Sequence, residues 1–185
     1  PASLVALGLA VAAAGFLLLA LGGGEREVAL VVAAFGAMSL GLAPVFTLTT
    51  DLIVGSVPAA RAGTAAGMSE TSAEFGGALG VAVIGSLATL LYRQGLEASL
   101  PGGLPPAESE AALDTLAGAL AIAGGLPEAL AGPVAAAART AFVTAFQAAT
   151  GVAAALTLAA AAGALLLLRG RSGSDERPAA EGAAG

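Results

Sequence analysis

Histidine, cysteine, tryptophan and lysine are all missing from this 185-residue chain. Without cysteine there is no disulfide, no thiol nucleophile and no thiolate metal site. Without histidine the commonest general base and zinc ligand is gone as well. Charge is scarce: 11% of residues are charged, where soluble domains carry about a quarter. The basic residues are seven scattered arginines, which form no basic face for nucleic acid. Net charge is −6, from acidic residues that sit mainly between and after the apolar runs. No nucleophile, metal or cofactor set is recognisable, so neither an enzyme nor a bound cofactor is expected.

What the chain has instead is apolar length. Hydrophobic residues make up 57% of it, too many for a surface that faces water. A helix needs about 20 apolar residues, at 1.5 Å each, to cross roughly 30 Å of hydrocarbon. Residues 2–21 meet that without a charge and end at Gly22-Gly23-Gly24 and Glu25-Arg26-Glu27. Residues 28–50 form a second run, which stops at Asp51. A short loop with Gly55 and Pro58 follows, bracketed by Asp51 and Arg61 as helix-end residues. A third run covers 62–92 and closes on the interfacial pair Tyr92-Arg93. A fourth covers 140–168 and ends in Arg169-Gly170-Arg171. The expected fold is an all-α membrane protein with four transmembrane helices.

Two stretches differ from these spans. Residues 93–139 are rich in proline and acid, with short apolar patches. The spacing predicts a short amphipathic helix over 106–120, with Leu113, Leu116 and Leu120 on one face, and a second from Pro127. Together they suggest a small helical hairpin. Residues 169–185 read as a disordered tail. Arg61, Arg169, Arg171 and Arg177 fall on one side of the membrane and Arg26, Arg93 and Arg139 on the other. That asymmetry puts the C-terminus in the cytoplasm and the 93–139 connection outside.

The third run carries the chemistry. Glu70 and Glu74 are the acids inside a predicted span, four apart and so on one helical face. Glu74 lies roughly 18 Å along that helix, near midplane depth. An ionised carboxylate in hydrocarbon is costly, so such residues face a bundle interior or a watery cavity. Gly63, Gly67, Gly77 and Gly85 share the face of the two glutamates, with Gly76 and Gly80 on the neighbouring stripe. Met68, Phe75, Leu79, Val83 and Leu90 cluster on the far side, toward lipid. Small residues let membrane helices approach closely, so the glycines are read as a packing face and the glutamates as pointing into protein. In the fourth run Thr140, Thr144, Gln147 and Gly151 form a polar seam. Thr144 and Gln147 are candidates to line a cavity, although hydrogen bonding between or within helices is the simpler role. Pro44 removes a backbone hydrogen bond from the second helix and predicts a kink.

The run from Ala62 through Glu70-Thr71-Ser72-Ala73-Glu74-Phe75-Gly76-Gly77 to Gly85-Ser86 resembles the penultimate helix of the fourteen-spanner drug:proton antiporters, a branch of the major facilitator superfamily. Asp51-Leu52-Ile53 and Pro58 are similar to the preceding cytoplasmic loop of that family. The resemblance is best over residues 40–92; elsewhere it is one of layout. It implies that the four helices are the last four of a longer parent, cut before Pro1, in a bacterial plasma membrane. It implies a proton-coupled multidrug efflux transporter, with amphipathic or cationic drug-like compounds, protons, the lipid bilayer and the parent's N-terminal helices as partners. Glu70 and Glu74 match the positions implicated in coupling and cation recognition in that family, and some relatives carry a helical hairpin in the last extracellular connection. The alternative is a four-helix membrane assembly or binding module without transport activity.

Overall fold

The computed structural model describes residues 2–22 and 27–172. Its elements are all helical. α1 (Ala2–Leu21) and α2 (Glu27–Gly55) lead through a single 3₁₀ turn (Ala59–Arg61) into α3 (Ala62–Ser99). Two short helices follow, α4 (Pro106–Asp114) and α5 (Leu116–Gly125), and then α6 (Glu128–Ser172). Among the described residues four helices are long and apolar enough to cross a membrane. The chain is an all-α, multi-pass membrane protein.

Helices outrun the apolar runs that nucleate them. A charge ends the hydrophobic match to lipid but leaves the backbone ladder free to continue into water. So α2 does not stop before Asp51 but continues to Gly55, and α3 continues past Tyr92-Arg93 to Ser99. The last helix starts not at 140 but at Glu128, just after Pro127, and takes in the stretch to Ser172 without a break. Residues 169–172 are therefore helical, while the rest of the expected tail, from 173 on, lies outside the described residues, as does the 23–26 turn. With 38 and 45 residues, α3 and α6 are about 57 and 68 Å long at 1.5 Å per residue, far more than a bilayer core needs.

α1 is the central helix, packed between α2 and α6. Buried residues fill 39% of its span, against 6% for α3. The α1–α2 contact is set by glycines. A Cβ placed on Gly8 would sit 2.5 Å from the Gly41 carbonyl oxygen, and one on Gly41 would sit 2.6 Å from the Ala12 nitrogen. Two turns along, a Cβ on Gly15 would lie 2.7 Å from the Ala34 oxygen. These are backbone atoms that cannot move aside, and close backbone approach is how helices gain van der Waals contact inside lipid. Pro44 lies within α2, which remains one helix.

The surplus lengths of α3 and α6 are joined by α4 and α5 into a helical cap with its own core. Tyr92, Leu96, Ala112, Leu113, Ala119, Ala138 and Ala141 are buried there. Gly103, at φ 103°, reverses the chain between α3 and α4. One helix was expected over 106–120, but it is broken at Thr115. That residue is extended (φ −152°, ψ 153°), and its hydroxyl accepts from the Gly118 N–H at 3.0 Å, capping α5. A hydroxyl that satisfies an orphan helix donor competes well with continuing the helix. The corner is tight: a Cβ on Gly118 would lie 2.7 Å from the Ala111 oxygen.

α4 is tied down on α3 by side chains from the expected interfacial pair. The Tyr92 hydroxyl donates to the Ala112 carbonyl at 3.0 Å. Arg93 donates to Asp114 at 2.7 Å and to Glu110 at 3.3 Å. These ion pairs are solvated and each is worth little, whereas the tyrosine bond is buried. Tyr92→Phe is expected to destabilise the cap by about 1 kcal/mol, the net value of such a bond. The check is protease cleavage within 100–128, which should quicken about fivefold. Unchanged cleavage would mean that the apolar core alone holds α4.

Candidate functional site

α3 joins the rest of the molecule mainly through its C-terminal half. There Tyr92 and Leu96 are buried, and Gly95 approaches Ala141 of α6. Its N-terminal half leans on α2 only lightly. Every residue from 70 to 83 is exposed on all sides of the helix. The bulky residues Met68, Phe75, Leu79, Val83 and Leu90 are exposed. The small face is equally bare. A Cβ on Gly63, Gly67, Gly76, Gly77, Gly80 or Gly85 would meet nothing within 4 Å. Within this chain the small face of α3 therefore meets no close neighbour. The helices that do pack closely through glycine are α1 and α2.

Glu70 and Glu74 line an open groove between α2 and α3. It consists of two hollows of about 890 and 780 Å³ that share Phe46, Glu70 and Ala73. The first adds Thr47, Thr50 and Asp51 from α2 with Ser69 and Ser72 from α3. The second adds Glu74, Gly77 and Val81. Asp51 and Arg61 do not pair; among the described residues both ion pairs belong to Arg93. Asp51, read from the sequence as a helix-end residue, instead joins Glu70 in the groove. Three carboxylates line the two hollows and no basic side chain does. Such a surface favours cations and disfavours anions. Thr47, Thr71 and Ser72 return their hydroxyl hydrogens to carbonyls one turn back. Their oxygens stay available as acceptors.

The polar seam of α6 divides differently. Thr144 is exposed and lines none of the larger concavities described here. Gln147 donates from Nε2 to the Gly22 carbonyl, closing the C-terminal end of α1. It also borders a mostly apolar pocket of about 220 Å³ with Leu19, Leu30, Val31 and Phe142. Thr150, which the seam did not include, is buried and bonds back to Phe146 and Gln147. Helix-to-helix and back-bonding roles account for Gln147 and Thr150. Among the described residues no cluster of acidic side chains has the makings of a metal site.

Two curated proteins are similar to the chain over most of its length. It is 39% identical over 162 residues to the multidrug efflux pump LfrA of Mycolicibacterium smegmatis, which covers 88% of this chain and 32% of that protein. It is 40% identical over 139 residues to the tetracenomycin C resistance and export protein of Streptomyces glaucescens, 71% of this chain and 25% of that protein. The chain thus spans about a third or less of the relatives it matches. No family model matches it, and no solved structure is significantly similar. The family resemblance carried by the third span is borne out: both relatives are exporters.

Proposed function

We propose that this chain, homologous to drug exporters over most of its length, forms four spans of a proton-coupled efflux transporter for amphipathic, cationic compounds. The observation that carries the reading is the α2–α3 groove. It holds Asp51, Glu70 and Glu74 with no basic residue, on a helix face that nothing in this chain covers. A carboxylate at midplane depth is sustainable only beside protein or water. The bare glycine face of α3 supplies the close approach that further helices need. With those helices in place the groove becomes one wall of a central cavity, and the two halves rock around it.

In that cavity a cation and a proton compete for the same carboxylates, because a neutral carboxyl no longer attracts a positive charge. Competition of this kind converts proton entry into substrate release. Glu74 is the principal exchanging group, and Glu70, which borders both hollows, extends the site toward Asp51. The C-terminal end of α6 faces the cytoplasm of a bacterial cell and the α4–α5 cap faces outward, in keeping with the arginine distribution.

The experiment is uptake of a fluorescent lipophilic cation into inverted vesicles that contain the full-length protein. Uptake should follow an imposed inside-acid gradient and collapse when an ionophore dissipates it. Uptake that ignores the proton gradient would remove proton coupling from the reading.

A further inference from the structure

A second concavity lies at the other end of α3, about 33 Å along the helix from Glu70. It sits beneath the α4–α5 corner, encloses about 200 Å³, and is lined by Thr89, Tyr92, Asp114, Leu116, Phe142 and Phe146 among others. Phe142 and Phe146 form one wall, their rings stacked with centroids 6.3 Å apart and planes at 15°. Asp114 supplies a charge at the lip, its side chain 67% exposed.

The charge balance at this lip is uneven. One guanidinium, Arg93, is shared between Asp114 and Glu110, which leaves the trio at −1. The whole 93–139 connection repeats the imbalance: Glu97, Glu108, Glu110, Asp114 and Glu128 face Arg93 and Arg139, a net of −3. An acidic rim over an aromatic wall suits a ligand with one positive charge and one apolar ring. Anions are repelled from it, and neutral apolar molecules gain nothing from the rim.

We propose that this pocket is a second binding site, distinct from the groove, for a compact amphipathic monocation such as an aryl quaternary ammonium compound. Its ring rests on Phe142 and Phe146, where ring stacking and cation–π attraction add to apolar burial. Its charge lies against Asp114. The arriving cation displaces the Arg93 guanidinium from Asp114, and Arg93 keeps Glu110. A volume near 200 Å³ admits a single ring with an ammonium group. Because the lining comes from α3, the α4–α5 corner and α6, an occupant bridges the cap to the spans.

The test is equilibrium dialysis of labelled benzyltrimethylammonium against the full-length protein. Saturable binding is expected, undisturbed by neopentylbenzene, its uncharged carbon isostere. Asp114→Asn and Phe146→Ala should each weaken binding about fivefold. Arg93→Gln should tighten it by a similar factor, since it removes the competing cation, and a merely loosened cap would not do that. Glu74→Gln, which disables the groove, is the background in which these effects are read, and it should retain one saturable site. The proposal is overturned by absence of saturable binding, by wild-type affinity in Asp114→Asn, or by weakening in Arg93→Gln. Loss of all saturable binding in Glu74→Gln would place the cation in the groove alone, ending the second site while leaving the efflux reading intact.

Discussion

Glu74→Gln is expected to abolish proton-driven export while leaving the protein folded and inserted. The substitution keeps the shape of the side chain and removes its charge and its exchangeable proton. A unit charge pair at about 4 Å is worth about 4 kcal/mol at an effective dielectric near 20, and desolvation of both partners takes back much of that. A loss of about tenfold or more in cation affinity remains. Coupling suffers more, since an amide cannot exchange a proton at all. Drug resistance in cells expressing the variant should fall to the level of the empty vector, at equal membrane abundance. Resistance equal to wild type at equal abundance would sink the assignment of Glu74. If Glu70→Gln were silent while Glu74→Gln was not, Glu70 would be reduced to shaping the groove.

The second large effect is structural. Gly41→Leu should prevent α1 and α2 from docking, because a side chain there enters the Gly8 oxygen and the Ala12 nitrogen, which are backbone atoms. Overpacking a tight interior typically costs about 1–3 kcal/mol, and a backbone clash lies at or beyond the top of that range. Gly77→Leu is the matched control in this chain: a Cβ there meets nothing within 4 Å. The measurement is folded yield in mild detergent, by size-exclusion chromatography. Gly41→Leu should lose most of the monodisperse peak. If it keeps the peak, the α1–α2 glycine contact does not hold the bundle together. The same control, placed in the full-length protein, bears on the α3 face as well. If that face packs against further helices, Gly77→Leu should fail there too.

The spans were legible because uncharged length is a strong signal in a chain this apolar. Their ends were less so. Asp51, Arg93 and Arg139 bound the hydrophobic runs, but helical hydrogen bonding ignores that boundary and carries α2, α3 and α6 beyond it. The carboxylate pair stood out because acids inside an apolar run are rare and costly. Asp51 was missed for the converse reason: it sits at the edge of a run, where a charge is ordinary. The α3 glycines were readable as a stripe, since Glu70 and Glu74 orient the helical wheel. Gly8, Gly15 and Gly41 had no such marker among the alanines around them, and only the crossing of two helices reveals them. The break at Thr115 was beyond reach of periodicity, because it depends on one hydroxyl finding Gly118.

The bond from Gln147 to the Gly22 carbonyl has a consequence for the order of assembly. A ribosome delivers α1 first and α6 more than a hundred residues later. Through that interval the hairpin of α1 and α2 can form from local contacts, but the flank of α1 that packs on α6 waits for its partner. The carbonyl at its exit has no glutamine to receive. The first helix of the chain is thus completed by the last. A chain truncated before residue 147 would leave α1 without the partner of its exit carbonyl.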